Sequence, residues 1–212
     1  MPDHKKQITA ADYYEGAFPK AKGVCQLWSW HELLYAGLLE ADPDTAFFRP
    51  RGRRLTYQYR GRQQIYQPDF VVTSTAGVTR LITIKPAEEI TRKAWPWLSC
   101  ITAHCRASHE QFEPTAREAI DANACLAFNW IQISRYIVAL DQATIDLEVA
   151  ITRAHRALTQ GAHTYDSLRD ALPRSDDTTH AAIPFVLLHR GLARCPALAT
   201  DPLHGGMTLW PA

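Results

Sequence analysis

The chain has 212 residues, 46% of them apolar and 21% charged, and a net charge of +1 with histidine counted as neutral. This is the composition of a folded globular protein and excludes wholesale disorder. No run of ~18 apolar residues is present, so no membrane-spanning helix is expected. Charge is unevenly spread. Residues 1–140 carry 17 Lys and Arg against 14 Asp and Glu, whereas residues 141–212 carry 6 against 8. Within the first part Arg49, Arg51, Arg53, Arg54, Arg60 and Arg62 fall in a stretch that contains no acid.

The five cysteines are odd in number and widely spaced, and no apolar segment follows the N-terminal charges. Reduced thiols in a cytoplasm are the expectation. Cys100, His104, Cys105 and His109 form two i,i+4 pairs that lie on different faces of a helix. They converge on zinc only if that helix breaks, so buried thiols are expected there and structural zinc is not.

In chain order, the first ~22 residues read as an irregular lead-in. Residues 25–41 show helical periodicity, with Leu27, Trp30, Leu34 and Leu38 on one apolar arc and Glu32 at its edge. Asp42-Pro43-Asp44 ends that helix. Residues 45–49, 55–59, 64–73 and 78–84 read as strands of an antiparallel meander, with turns at Gly61-Arg62 and Gly77. Residues 110–128 read as mostly helical with a break near Pro114, and 130–140 as a further strand. The first ~140 residues thus predict an α/β or α+β domain.

From Asp141 the pattern changes. Helices are predicted at 144–158, at 164–172 with Thr164 as N-cap, and at 178–190 with a kink or start near Pro184. The tail, 192–210, reads as a two-stranded wing. Three helices followed by a ribbon is a winged-helix pattern, so the chain divides into domains at 1–140 and 141–212.

The chemistry-bearing pattern is Pro68-Asp69-Phe70 followed, across a turn, by Thr83-Ile84-Lys85. An acid opening one strand and a Lys closing the next come side by side, and period-2 alternation puts Thr83 and Lys85 on one face. Glu32 on the preceding helix adds a second carboxylate. Carboxylate oxygens hold a hard divalent cation, and a Lys beside them positions water and neutralises charge on a phosphorane. Taken singly, each motif has a plain reading: a strand start, a solvated strand end and a rim acid. The arginine run beside the site suits phosphate contact, as do Arg92 and Lys93, although alternate arginines also keep an exposed hairpin soluble.

Glu32, Pro68-Asp69-Phe70 and Thr83-x-Lys85 resemble, in order and spacing, the PD-(D/E)XK or restriction-endonuclease-like nucleases. Within them the chain is most similar to the TnsA family, the endonuclease subunits of heteromeric cut-and-paste transposons. The resemblance covers residues ~25–212. Thr83 stands where the general nuclease pattern has Glu or Asp, and TnsA-type proteins are similar in using a non-acidic residue there. The resemblance implies a restriction-endonuclease-like α/β core, a central mixed sheet flanked by helices, and a winged-helix-like C-terminal domain. It implies Mg²⁺ or Mn²⁺ held by Glu32, Asp69 and the Ile84 carbonyl or the Thr83 hydroxyl, with Lys85 positioning water. It also implies transposon-end DNA, a DDE-type transposase and an AAA+ ATPase regulator as partners. A stand-alone restriction or repair nuclease and a catalytically silent binding subunit are the rival readings.

Overall fold

The computed structural model describes residues 13–91, 96–140, 146–161, 163–172 and 177–212. Among them, residues 13–16, 20–35 and 44–122 form one compact unit, and residues 17–19, 36–43 and 123–212 form a second. The boundary read from composition at 140/141 falls within the second unit. Arg92 and Lys93 lie outside the described residues.

From Tyr14 on, the expected irregular lead-in is not irregular; residues 1–12 lie outside the described residues. It holds strands β1 (Tyr14–Phe18) and β2 (Gly23–Leu27), with Cys25 and Leu27 buried in the alternation of a strand. Helix α1 (Trp30–Ala41) therefore starts five residues later than the periodicity suggests. Its start is set locally. Ser29 Oγ accepts the Glu32 N–H at 3.1 Å, and Glu32 Oε2 accepts the Trp28 N–H at 2.8 Å. Ser29 thus caps the N3 amide as in one half of a capping box, while Glu32 reaches one residue beyond the N-cap, to the amide of Trp28.

The central sheet of the first unit has four strands in the order β3 (Thr45–Pro50), β6 (Phe70–Ser74), β7 (Thr79–Lys85) and β8 (Gln111–Ala116). The β3–β6 and β6–β7 pairs are antiparallel, and β7–β8 is parallel. The protein is thus a mixed α/β chain. The expected meander is corrected here: β4 (Leu55–Tyr59) and β5 (Arg62–Tyr66) leave the sheet as a separate hairpin, and β3 pairs with β6. The departure follows Arg51, whose φ of 49° turns the chain out of β3. Pro68, which has no N–H, divides the single strand expected over 64–73 into β5 and β6.

The strand β8 replaces part of the helix expected over 110–128. Pro114 is accommodated because β8 is an edge strand with one side unpaired. One sheet face places Phe48 and Phe70 against each other, with Tyr35 of α1 packed on Phe70. The other buries Leu81 with Leu55 and Tyr57 of the hairpin and Ile101 and Cys105 of helix α3 (Pro96–Ala107), which follows the short helix α2 (Ala87–Thr91). Cys105 is a fully buried thiol in this layer, and Cys100 is half-buried at its margin.

After the short helix α4 (Arg117–Asp121), the second unit opens with α5 (Ala124–Ala139). This corrects the strand expected over 130–140. Trp130, Ile131, Ile133, Tyr136 and Val138 favour a strand by propensity, but Ala127, Trp130, Ile133 and Ser134 are buried at helical spacing. Helices α6 (Leu147–Thr159), α7 (Tyr165–Asp170) and α8 (Asp177–His189) follow. Thr164 caps α7 as expected, accepting the Ser167 N–H at 3.1 Å. Pro184 lies within α8, which runs through it.

The tail forms two strands, as expected: β10 (Ala193–Arg194) pairs antiparallel with β11 (Thr208–Pro211), and the short β9 (His163–Thr164), from before α7, adds a third strand on the other edge of β11. Ala182, Ile183, Phe185, Val186 and Leu187 of α8 are all buried, so this stretch of the helix is core. Buried Asn129 ties α5 to the tail. Its amide donates to the carbonyls of Leu198 and Asp201 at 2.9 and 2.7 Å, and its carbonyl accepts the Leu203 N–H at 2.9 Å. No helix among the described residues is long and apolar enough to cross a membrane.

Candidate active site

Asp69 sits one residue before β6, and its backbone is held on both sides. Its N–H donates to the Ile82 carbonyl at 2.9 Å, and its carbonyl accepts the Arg51 N–H at 2.8 Å. The side chain turns towards the end of β7. Oδ2 accepts the Ile84 N–H at 2.7 Å and the Thr83 hydroxyl at 3.2 Å. Among the described residues, no hydrogen bond reaches Oδ1.

Thr83 is 1% exposed, and its hydroxyl accepts a hydrogen bond from the Tyr66 hydroxyl. A chain of donors therefore runs from Tyr66 through Thr83 to Asp69 and fixes the carboxylate. Sequence reasoning does not single out Tyr66. It comes from β5, seventeen residues away, and no local pattern signals that contact. Its ring packs on Trp97 and Phe112, and burial pushes its hydroxyl pKa up, so it stays a neutral donor.

Because Thr83 Oγ1 is engaged on both sides, the backbone carbonyl of Ile84 is the better third oxygen. The N–H of Ile84 faces Asp69. In an extended strand a residue's N–H and C=O face the same edge, so the Ile84 carbonyl also faces the Asp69 side. Lys85 ends β7, opposite Ala116 of β8. It shares a face with Thr83 and stands about 7 Å further along at the usual strand rise. Among the described residues it has no acidic partner.

Glu32 is only 4% exposed. Besides the Trp28 amide it holds Arg51, whose Nη2 lies 3.2 Å from Oε1. Burial raises the Glu32 pKa. The Trp28 N–H and the Arg51 guanidinium oppose the rise, and the Asp69 charge adds to it. The structure thus brings Glu32 and Asp69 within electrostatic reach, with a cation already between helix and strand. Among the described residues no three His, Cys, Asp or Glu side chains gather at metal-binding spacing. The acidic side chains of the site number two, and any further oxygen comes from backbone.

The arginine run is divided by the fold. Arg51 belongs to the site itself, its guanidinium 4.6 Å from the Trp28 ring centroid. Arg53 is paired with Glu110. Arg60 and Gly61 both take positive φ, 48° and 71°, in the two-residue turn of the β4–β5 hairpin. Arg60 stacks on Tyr59 at 5.2 Å. Arg54 and Arg62 are exposed, with no acidic partner among the described residues.

No protein-family model matches the chain, and no curated protein matches it.

Proposed function

We propose that the chain is a metal-dependent DNA endonuclease with a restriction-endonuclease-like core and a winged-helix-like C-terminal unit, similar to the TnsA subunits of heteromeric transposases. The observation that carries the reading is the fixed Asp69 carboxylate. It lies at the mouth of an antiparallel strand pair, with one oxygen anchored and one left over, a buried Glu32 close by and Lys85 on the Thr83 face. The helix–strand–helix–helix–strand–strand order of α6, β9, α7, α8, β10 and β11 supports the winged-helix assignment. Ala182, Ile183, Val186 and Leu187 of α8 are buried in that unit's own core, which speaks against α8 as a major-groove reader.

The donor set suits a hard divalent cation such as Mg²⁺ or Mn²⁺: Asp69 Oδ1, the Ile84 carbonyl and Glu32 Oε1, the oxygen now on Arg51. Bound there, the ion would supply Lewis-acid stabilisation of the scissile phosphate. The chain's own residues do the rest. Thr83 and the Ile84 N–H hold Asp69 in one rotamer. Lys85 orients water for attack and offsets negative charge as it grows on the phosphoryl oxygens. Arg54, Arg60 and Arg62 hold backbone phosphates along the hairpin. On the resemblance, the substrate is a transposon end, a DDE-type transposase cuts the other strand, and an AAA+ ATPase regulates the pair.

A second reading, a catalytically silent binding subunit, is favoured by one observation: both oxygens of Glu32 already have partners. Nicking of supercoiled plasmid, in one arm with Mg²⁺ and in the other with Mn²⁺, separates the two. Wild type should nick, and Asp69→Asn, which keeps an acceptor for the Ile84 N–H, should lose more than ~10³-fold. Equal nicking by Asp69→Asn would remove the assignment of this site. No metal-dependent nicking by wild type in either arm would favour the silent subunit.

A further inference from the structure

Beside the carboxylates lies a groove of about 580 Å³ between β2 and β3, lined by Lys22, Trp28, Arg49, Pro50 and Arg51 among others, and by no acid. We propose that this groove is a phosphodiester subsite that takes the backbone of the DNA strand flanking the scissile phosphate; the inference rests on the nuclease reading above.

Continuity with the site is the first argument. Arg51 and Trp28 line the groove, and the same two residues hold Glu32, one through its guanidinium and the other through its amide. A strand leaving the carboxylates along this edge meets Arg51 first and then the outer cations. Charge is the second argument. The lining holds no acid, and although Glu32 offsets Arg51, the charges of Lys22 and Arg49 are left to attract a polyanion. Arg49 and Lys22 are exposed, and among the described residues neither has an acidic partner.

The unmet donor is the third argument. Arg51 Nε is buried without a hydrogen-bond partner. A buried N–H left unmade costs about 1–3 kcal/mol, and a phosphate oxygen would relieve that cost once the Arg51 guanidinium turns into the groove. The backbone points the same way. Lys22 and Arg51, on opposite walls, are two of the four non-glycine residues with positive φ among the described residues, at 56° and 49°. Left-handed conformations are costly for side chains of this kind and persist where the surroundings over-determine them.

The test is binding of a short fluorescent DNA duplex by anisotropy over a salt series, with Ca²⁺ replacing Mg²⁺ so that no cleavage intervenes. Lys22→Gln and Arg49→Gln change exposed side chains, and an unaltered melting curve checks the fold. The double variant should bind at least tenfold more weakly, and its log K against log salt should flatten by roughly 1.8, at ~0.9 for each phosphate no longer neutralised. The loss should be alike for all DNA sequences. Unchanged affinity and slope would overturn the subsite, as would failure of wild type to bind the duplex. Thymidine monophosphate binding as tightly as the duplex would also overturn it, in favour of a mononucleotide pocket. The nuclease reading fails separately: Asp69→Asn cleaving like wild type, with the groove variant still weakened, would remove the catalytic role and leave the DNA subsite.

Discussion

Arg51 lies 3.2 Å from Glu32, and it reaches there because its left-handed backbone carries the chain off the end of β3 beside the start of α1. Its guanidinium rests on Trp28, whose own N–H is held by the other oxygen of Glu32. A buried acid that would otherwise be uncompensated is thus met by a cation on one oxygen and an amide on the other. Any divalent ion drawn to Glu32 and Asp69 competes with Arg51 for Oε1. Glu32 serves two purposes at once, as a helix cap and as the second charge of the candidate site.

Glu32→Gln separates those purposes. Gln at this position still accepts the Trp28 N–H, so the cap remains. The Glu32 pKa is raised by burial, so the folded state binds more protons than the unfolded one. Its stabilisation is present below the ordinary carboxylate range and lost as pH rises through the raised value. Metal-free Glu32→Gln should therefore melt above wild type at neutral pH, with the gap closing in acid. Mg²⁺ should raise the melting temperature of wild type and much less that of the variant. Melting curves across pH, with and without Mg²⁺, check both points, and equal metal-induced shifts would show that Glu32 is not a ligand.

The Tyr66–Thr83–Asp69 chain makes a prediction about coupling. Tyr66→Phe should cost about 1 kcal/mol, the net worth of one hydrogen bond. Thr83→Val should cost about 1–3 kcal/mol, because it leaves the buried Tyr66 hydroxyl without its acceptor and Asp69 with one donor fewer. The double variant should cost clearly less than the sum, since the second change removes a group already stranded by the first. Urea unfolding of the four proteins gives the cycle. Strict additivity would show that the hydroxyls do not act as one chain.

The hairpin arginines should be unequal. Arg54→Ala with Arg62→Ala removes two exposed charges and should lower the salt slope of DNA binding by up to ~0.9 for each phosphate that either had neutralised. Arg53→Ala should change it less, because Glu110 already neutralises that charge. Salt titrations of duplex binding read the difference, and no change for the Arg54 and Arg62 pair would return the hairpin to a solvated face.

What was legible in the sequence is local. Pro68 before Asp69 marks a strand start, Thr164 marks a cap, and the alternation around Leu81 puts Thr83 and Lys85 on one face; each depends on neighbours a few residues away. Ser29-x-x-Glu32 was equally readable as a cap, and it explains why α1 starts where it does. Long-range packing decided the rest. Residues 130–140 have strand-like propensity, yet they are helical because Trp130 and Ile133 are buried at helical spacing in the second unit's core, where Asn129 also finds its partners. Residues 111–116 are extended because β7 offers a parallel edge. Tyr66 over Thr83, Arg51 on Glu32 and the Arg53–Glu110 pair join residues 17, 19 and 57 positions apart. No periodicity encodes such contacts, since they arise only when burial of the two sheet faces brings those elements together.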